Sequence, residues 1–362
     1  MPSPWFVTTT ASGGDGSEGS PWTIVEAADN VAAGEKVWVK AGTYETQDGA
    51  TGAVLNISTA GTIGSWIVWE AYTTTTGDWS EGDAPVAVLD AGTNSLANAI
   101  LFAIGSSVFQ EFKGFRFTGG SNDGVAGSTN NNAMVLTGCR SDTNTGRGIQ
   151  WNDDLGLLAC EIDGNTENAL DMDNDLSSSG TKWHGNGVST GCLTVQSNAA
   201  FLHDIFYDYS ANNLRSSSSI HLIIGCVFDG DNHASSVAVD QDGASANIGL
   251  LLNNIFYDNA TAVDTATQPG AVRGFNLFFS NTNDYNNSFV LHDTDIVGTE
   301  DPFTDSANRD YTLKSSSEAE EAGFDFGVFS TPYKDIGAIQ QVHAAGSGGL
   351  LVHSGMSGGL QG

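Results

Sequence analysis

The chain of 362 residues carries 43 acidic side chains against 12 Lys and Arg, so its net charge is −31. Such a chain repels nucleic acid, which needs a basic surface, and it repels an anionic polysaccharide unless divalent cations intervene. No apolar run reaches the roughly 18 residues of a membrane span. The start Met-Pro-Ser-Pro-Trp-Phe lacks the basic and apolar parts of a Sec signal peptide. We therefore expect no nucleic-acid partner, no membrane span and no Sec export.

Residues 1–36 are predicted to form an N-terminal cap. The run from Ser20 to Asp29 is typical of a short amphipathic helix, with Ser20 or Thr23 as its N-cap residue. A stack of repeats exposes apolar surface at its open end, and a helix at that end would cover it.

Residues 37–285 contain a four-residue phrase that recurs along the chain. The sequence numbers of its last positions differ by 24, 21, 45, 21, 29 and 22, and 45 is about twice 22. A regular interval of this size indicates a stacked repeat. The phrase occurs as Phe115-Arg-Phe-Thr118, Cys139-Arg-Ser-Asp142, Cys160-Glu-Ile-Asp163, Ile205-Phe-Tyr-Asp208, Cys226-Val-Phe-Asp229, Ile255-Phe-Tyr-Asp258 and Leu277-Phe-Phe-Ser280.

Short apolar runs separated by Asn, Asp, Gly and Ser predict strands and tight turns, and long helical periodicity is absent after residue 35. We therefore predict an all-β parallel β-helix solenoid. The sequence also predicts its register, because one repeat interval leads from Ile149 to Leu170 and from Trp151 to Met172, which pairs them on the inward face. The same interval places Asp171 on the outward face, since strand residues alternate.

Two segments follow the predicted coils. Residues 286–343 read as an irregular closing segment, and residues 344–362 form a Gly-rich tail with an apolar centre. We interpret the tail as a docking peptide for a neighbouring subunit or a neighbouring assembly protein. This interpretation predicts a homo-oligomer, most simply a trimer. Its candidate assembly residues are Leu350, Leu351, Val352 and Met356.

The four cysteines have no zinc-site spacing. Three of them occupy the inward position of the repeat phrase. We expect all four to be free thiols that act as small core residues. They are Cys139, Cys160, Cys192 and Cys226.

Two segments carry a family resemblance. The opening, from Val7-Thr-Thr-Thr-Ala-Ser-Gly-Gly to Gly34-Glu-Lys-Val-Trp-Val-Lys-Ala-Gly-Thr-Tyr44, resembles that of right-handed parallel β-helix proteins of the pectate-lyase-like superfamily. The closing stretches Asp301-Pro-Phe-Thr-Asp and Asp335-Ile-Gly-Ala-Ile-Gln340 are similar to the end of the same proteins. The resemblance covers about residues 5–340 and implies a right-handed single-stranded helix. The fold hosts lyases, hydrolases, epimerases, phage tailspikes and structural proteins, so it leaves function open.

Uronate lyases of this superfamily use a Lys or Arg as base, usually with calcium. No lyase motif surrounds any basic residue of the coil region. The basic residues of the coils are Lys113, Arg116, Arg140, Arg147, Lys182, Arg215 and Arg273. Polygalacturonase-like hydrolases are matched only in part, by Asp153-Asp154 and by Trp183-His184-Gly185-Asn186-Gly187, without Asn-Thr-Asp or Arg-Ile-Lys.

Carboxylates on one face of a strand could also hydrolyse a glycoside when they stand about 5–9 Å apart. Asp171 and Asp173 have this spacing along one strand, and Asp240 and Asp242 repeat it. These four and His184 are the candidate catalytic residues. The alternative is that an acidic protein simply places Asp at outward positions.

Two further sites are predicted. A calcium site is predicted from three regularly spaced carboxylates, those of Asp171, Asp173 and Asp175. The Gly and Glu of an EF-hand loop are missing, and we expect no cofactor to be required. The aromatic side chains of Trp151, Trp183 and Tyr209 are candidates for stacking on sugars, or else for core packing.

Two classes of function remain. The first is a structural or display protein of a phage virion or similar surface assembly, tailspike-like, that binds host glycans and resides on a virion or an extracellular surface. The second is a polysaccharide lyase or glycoside hydrolase that acts in a groove along the helix. The missing signal and the docking-like tail favour the first, whereas the extensive resemblance to bacterial lyase-like proteins keeps the second open.

Overall fold

The structure is a computed structural model that describes residues 4–11, 13–46, 52–103, 108–127, 133–187, 192–216, 220–241, 247–265, 272–287, 290–324 and 335–339. Apart from one short helix and one 3₁₀ turn, the regular elements of these ranges are β-strands. The helix is α1 (Ile24–Asn30), and the 3₁₀ turn spans Ser306–Asn308.

The strands recur at short intervals along the whole chain. The first are β1 (Trp5–Val7), β2 (Lys36–Lys40), β3 (Gly42–Tyr44), β4 (Ala53–Ile57), β5 (Ile67–Tyr72), β6 (Ala87–Asp90), β7 (Asn98–Phe102), β8 (Gln110–Lys113), β9 (Phe115–Thr118), β10 (Val125–Gly127), β11 (Met134–Thr137) and β12 (Arg140–Asp142). Next come β13 (Ile149–Trp151), β14 (Leu155–Leu158), β15 (Glu161–Asp163), β16 (Leu170–Met172), β17 (Leu176–Ser179), β18 (Lys182–His184), β19 (Leu193–Val195), β20 (Ala199–Leu202), β21 (Ile205–Tyr207), β22 (Asn212–Ser216), β23 (Ile220–Ile224) and β24 (Val227–Asp229). The last are β25 (Val237–Gln241), β26 (Asn247–Leu252), β27 (Ile255–Tyr257), β28 (Thr261–Thr265), β29 (Val272–Gly274), β30 (Leu277–Phe279), β31 (Asn283–Asn287), β32 (Ile296–Val297), β33 (Phe303–Asp305) and β34 (Asp310–Leu313).

Three parallel sheets run along the molecule, and each coil contributes one strand to each sheet in turn. Sheet A has eleven strands, in the order β1-β2-β5-β8-β11-β14-β17-β20-β23-β26-β29. Sheet B also has eleven strands, in the order β3-β6-β9-β12-β15-β18-β21-β24-β27-β30-β32. Sheet C has ten, in the order β4-β7-β10-β13-β16-β19-β22-β25-β28-β31. The predicted parallel β-helix is therefore confirmed.

The predicted register is also confirmed. Ile149 pairs with Leu170 and Trp151 with Met172, and all four side chains are buried. The repeat phrase marks sheet B, but its alignment was wrong by one residue at Ile205, Ile255 and Leu277, which lie in the row of Val227 and not in that of Cys226. The shift arises because these copies start at the first residue of their strands and end on the left-handed residue after the strand, as Asp208 does with φ 55°.

The core consists of inward side chains stacked from coil to coil. Phe206, Phe228, Phe256 and Phe278 form one stack, with ring centroids 4.6, 5.2 and 5.0 Å apart. These distances follow the strand spacing of about 4.8 Å, so each ring covers the next. Burial of each ring contributes roughly 1.5–3 kcal/mol. The four cysteines are buried free thiols, as predicted.

The bend from sheet A to sheet B contains two residues, and the first of them is left-handed in successive coils. Gly138 has φ 53° and Gly225 has φ 65° at this position. The second residue faces the core, and in the later coils it is Asn. Asn254 accepts a hydrogen bond from the backbone N of Cys226 at 2.9 Å, and Asn276 accepts one from the backbone N of Asn254 at 3.0 Å.

The N-terminal segment has both a strand and the predicted helix. Helix α1 begins after Thr23, whose side chain and that of Glu26 form a reciprocal capping box. The helix buries Ile24, Ala27 and Ala28 and contacts β4, the terminal strand of sheet C. Strand β1 lies inside the segment predicted as a cap, yet it pairs with β2 in sheet A.

The closing segment covers part of sheet B. Phe303, Tyr311 and Leu313 pack with Ile336 against the outward side chain of Ile255 and its neighbours in sheet B. The described residues include no helix long and apolar enough to cross a membrane. The tail residues Leu350, Leu351, Val352 and Met356 lie outside the described residues.

Candidate functional site

The outer face of sheet B gathers several of the chain's few basic side chains. In strands β12, β15 and β18 the middle residue, and in β9 Phe117, points inward and is buried, as Trp183 is, so the two neighbours of that residue point outward. The first outer row of sheet B consists of Arg116, Arg140, Glu161 and Lys182. The second outer row consists of Thr118, Asp142, Asp163, His184, Tyr207 and Asp229.

Arg and Asp side chains link neighbouring coils at the start of these rows. Arg116 contacts Asp142 at 2.8 Å, and Arg140 contacts Asp142 at 2.9 Å. Arg140 also donates to both oxygens of Asp163, at 2.8 and 2.6 Å. Burial raises the pKa of Asp163, and the hydrogen bonds from Arg140 oppose that rise. These pairs hold the carboxylates in fixed positions and neutralise the cations.

His184 is held from two sides. Its Nε2 lies 3.1 Å from Oε1 of Glu161, and its ring stacks on Tyr207 with the centroids 4.3 Å apart. The hydrogen bond to His184 lowers the pKa of Glu161, while burial raises the pKa of Tyr207 to about 12. A carboxylate that accepts from Nε2–H fixes the tautomer, so that Nδ1 carries the lone pair. In the neutral ring, Nδ1 of His184 can therefore accept a proton.

Lys182 lies on the same strand as His184, two residues away, so their α-carbons are about 6.6 Å apart. Its side chain is exposed, and its strand neighbours in the first outer row are Glu161 and Ile205. Within the described part of the chain no ion pair involves its ammonium group. It therefore offers a positive charge to a ligand.

The closing segment forms a boundary at the C-terminal side of this face. Arg309 donates to Asp229 at 3.0 Å and to Asp231 at 2.8 Å, and its guanidinium lies 5.2 Å from the ring centroid of Tyr207. Tyr311 donates from its hydroxyl to Asp229 at 2.8 Å. The accessible part of the outer rows is thus limited to the strands that precede β21.

Two groups of described side chains, the first on this face and the second beyond the ends of β21 and β24, each bring three possible metal-ligand atoms close together. One is Glu161, Asp163 and His184, and the other consists of Asp208, Asp231 and His233. In each group the potential ligand atoms lie within 4.8 Å of one another. Nitrogen and oxygen ligands in this mixture suit divalent cations such as Zn²⁺ or Mn²⁺.

The predicted calcium ligands are not brought together into such a group. Asp171 accepts from Arg147 at 2.8 Å on the outer face of sheet C. Asp173 lies beyond the end of β16 and accepts from Gln196 at 2.7 Å. Asp175 accepts from Ser197 and Asn198, each at 3.1 Å. The prediction assumed that the strand continued past Met172, but it ends there, and each of the three carboxylates bonds to different partners.

The other predicted acids are Asp240 and Asp242. Asp240 lies on the outer face of sheet C and accepts a hydrogen bond from Asn212. Asp242 lies outside the described residues. His184 is the one candidate catalytic residue that the described part of the chain places on the outer face of sheet B.

The three aromatic residues predicted to stack on sugars are in the core. Trp151 and Trp183 are 0% exposed and Tyr209 is 2% exposed, so none offers a ring to a ligand. Their polar atoms bond internally, for example Nε1 of Trp183 to Asp204 at 3.2 Å. The prediction is corrected because these residues occupy inward strand or corner positions. Tyr207 is an aromatic residue that does lie in an outer row of sheet B, beside His184.

Sequence reasoning missed the site as a unit. Lys182 appeared only as one basic residue among several, and Glu161 only as part of the repeat phrase. The sequence could have predicted that Glu161 and Lys182 are neighbours on adjacent strands, because they are separated by the same interval as Ile149 and Leu170.

Comparison with solved structures identifies the fold. The pectate lyase Pel9A aligns with a TM-score of 0.63 at 14% identity, over 93% of this chain and 96% of that chain. An alginate lyase from Paenibacillus aligns with a TM-score of 0.50 at 12% identity, over 74% of this chain and 96% of that chain. No protein-family model and no curated protein sequence matches the chain. The chain therefore has the pectate-lyase-like parallel β-helix fold, and at these identities the likeness extends to the fold alone.

Proposed function

We propose that this protein cleaves an acidic polysaccharide by β-elimination at the outer face of sheet B. The observation that carries the proposal is the exposed ammonium of Lys182, which forms no ion pair with a described residue, beside an imidazole that Glu161 orients. In a chain with a net charge of −31, an anionic ligand needs such a local positive charge. The similar structures named pectate lyase and alginate lyase support this alternative over a virion role, which no described feature favours.

The polymer would lie across the strands of sheet B and meet a new strand about every 4.8 Å. Lys182 would bind the uronate carboxylate and stabilise the negative charge that develops on it. His184 would take the proton from the carbon next to that carboxylate through Nδ1, while Glu161 holds Nε2–H. The electron pair forms the carbon–carbon double bond, the C4–O bond breaks, and the departing oxygen takes a proton from solvent.

The resemblance to calcium-dependent lyases also implies a metal ion. The group Glu161–Asp163–His184 adjoins Lys182 in the sheet and could hold one, and Asp208–Asp231–His233 is a second group of described residues that could do so. A bound divalent cation would neutralise the substrate carboxylate. In the first group the ion would compete with Arg140, which already contacts both oxygens of Asp163.

A glycoside hydrolase is the second candidate. The carboxylate oxygens of Glu161 and Asp163 lie within 4.8 Å of each other, near the separation of about 5–5.5 Å in retaining enzymes. Their pKa values also shift in opposite directions, since the bond to His184 lowers that of Glu161 and burial raises that of Asp163. Against this, Arg140 occupies both oxygens of Asp163, which a general acid must expose.

The product distinguishes the two reactions. The purified chain would be incubated with polygalacturonate, with alginate and with a neutral glucan, with and without added divalent cations. Elimination gives new reducing ends together with the ultraviolet absorbance of an unsaturated uronate, whereas hydrolysis gives reducing ends alone. The Lys182→Met variant should lose roughly 10²–10³-fold in kcat/KM.

Lys40→Met is the matched control, because Lys40 is also an exposed lysine at the end of a strand, in sheet A. It should keep full activity. Reducing ends without unsaturated product would favour the hydrolase, and full activity of Lys182→Met would overturn the assignment of this face.

A further inference from the structure

The outer face of sheet A carries an aliphatic stripe in its C-terminal half. The stripe consists of Ala200, Leu222, Leu250 and Val272, which pair in register across β20, β23, β26 and β29. Their strand neighbours Phe201, Ile223 and Leu251 are inward and 0% exposed, so the stripe residues point outward. Val272 is 63% exposed, and the other three are half-buried.

The stripe is confined to this end of the sheet. The same outward row continues toward the N-terminus as Ser177, Gly156, Val135 and Glu111, which are small or polar apart from Val135. A shallow depression opens at the start of the stripe, and it is lined by Asp175, Leu176, Asn198, Ala199, Ala200 and Leu222. An apolar, concave outer surface on one part of an otherwise polar face indicates a docking surface.

The chain crosses to this side of the molecule at its last described residues. Gly337 donates from its backbone N to the backbone O of Asn253 at 2.7 Å, in the bend between sheets A and B. A methyl group at Gly225, in the neighbouring bend, would lie 3.3 Å from the backbone O of Gly337. Leu222 precedes Gly225 by three residues, so the chain passes the edge of the stripe.

The remaining chain has the length and composition to cover it. Residues 340–362 follow, and their only run of three apolar residues is Leu350-Leu351-Val352, within a Gly-rich sequence. The eleven residues from Ile339 to Leu350 span at most about 36 Å. Val272 lies two strands beyond β23, which is about 10 Å. The tail can therefore reach every residue of the stripe without strain.

We propose that Leu350, Leu351 and Val352 dock on the aliphatic stripe of sheet A in the same chain. Tethering makes this contact intramolecular, so it has the advantage of a high effective concentration over the same contact with a second copy. The proposal concerns sheet A and is independent of the activity proposed for sheet B. It is an alternative to the predicted role of the tail as a link to a neighbouring subunit.

The test is a disulfide between the two surfaces in the full-length chain. Leu222→Cys combined with Leu351→Cys would be oxidised with diamide, and the native thiols would not interfere because all four are buried. The control pair is Val68→Cys with Leu351→Cys. Val68 is an outward residue of sheet A six strands before Leu222, about 29 Å away.

An internal disulfide in a monomer, formed at least about tenfold faster than in the control pair, is the expected result. A disulfide-linked dimer would overturn the proposal and show that the stripe binds a second copy. Equal rates for the two pairs would also overturn it. A chain ending at Ala344 gives an independent readout, because loss of the tail should increase binding of an apolar dye, and Leu222→Lys in that shortened chain should reverse the increase.

Discussion

Replacing Asp204 with Asn should remove a loss of stability that the native protein suffers between about pH 4 and pH 7. Asp204 occupies the core-facing position of the bend between β20 and β21 and is 0% exposed. It accepts from the backbone N of Thr181 at 2.9 Å and from Nε1 of Trp183 at 3.2 Å. Burial outweighs these bonds and raises its pKa from 3.8 to about 7.

The sign and size follow from linkage. In the unfolded chain the carboxyl group loses its proton near pH 3.9, whereas in the folded chain it keeps the proton until about pH 7. The folded state therefore binds more protons between these values, and the free energy of unfolding falls as the pH rises. A shift of about 3 pKa units corresponds to about 4 kcal/mol. The loss is complete above pH 7 and absent below pH 4.

Asn cannot ionise, and it is the native residue at this bend position in the later coils, at Asn254 and Asn276. The assay is urea unfolding of both proteins at several pH values. The difference in unfolding free energy, variant minus native, should grow by about 4 kcal/mol from pH 4 to pH 7.5. Loss of the acceptor for Trp183 adds a constant offset that leaves this slope unchanged. A difference that does not vary with pH would refute the reasoning, and exposed Asp173→Asn serves as the control.

Three further substitutions test separate parts of the structure. Burial lowers the pKa of His221 from 6.5 to about 4. The unfolded chain therefore binds more protons, and the free energy of unfolding should fall by about 3 kcal/mol as the pH falls from 6.5 to 4. His221→Leu should abolish that loss in urea unfolding. Leu170→Asp places an unpaired charge in the core and should destabilise the protein by several kcal/mol. The outward substitution Gln150→Asp should have little effect. Equal melting temperatures of the two variants would contradict the register. Arg309→Gln leaves the buried carboxylate of Asp229 without its cation and should lower the free energy of unfolding by roughly 1–3 kcal/mol. The closing segment should then be cleaved faster by a protease. An unchanged rate of proteolysis would contradict the contact.

The fold was predictable because a solenoid repeats its local rules. The repeat interval that pairs Ile149 with Leu170 fixes inward and outward faces at once. The misalignment at Ile205 shows the limit, since the left-handed backbone of Asp208 leaves no mark in an apolar pattern. The apolar pattern also does not show that β16 ends at Met172. Asp173 and Asp175 therefore lie beyond the strand and do not continue its outward row as predicted.

The site was predictable only in part. His184 was named because Trp-His-Gly-Asn-Gly partly matches polygalacturonase-like hydrolases, but its partner Glu161 belongs to the preceding coil and becomes adjacent only through the register. The aromatic residues were misassigned for the opposite reason. Trp183 lies between two outward residues of the site, and one position along a strand separates a surface ring from a core ring.

The most direct test of the claim that sheet B binds the polysaccharide is chemical footprinting of lysines. The catalytically disabled His184→Ala protein would be acetylated with and without a saturating acidic polysaccharide, and the rate at each lysine would be read by mass spectrometry. Lys182 should be protected at least about tenfold, since its ammonium is covered by the ligand, while exposed Lys40 on sheet A should react at the same rate in both samples. Unchanged acetylation of Lys182 in the presence of bound polymer, or protection of Lys40 alone, would contradict the account.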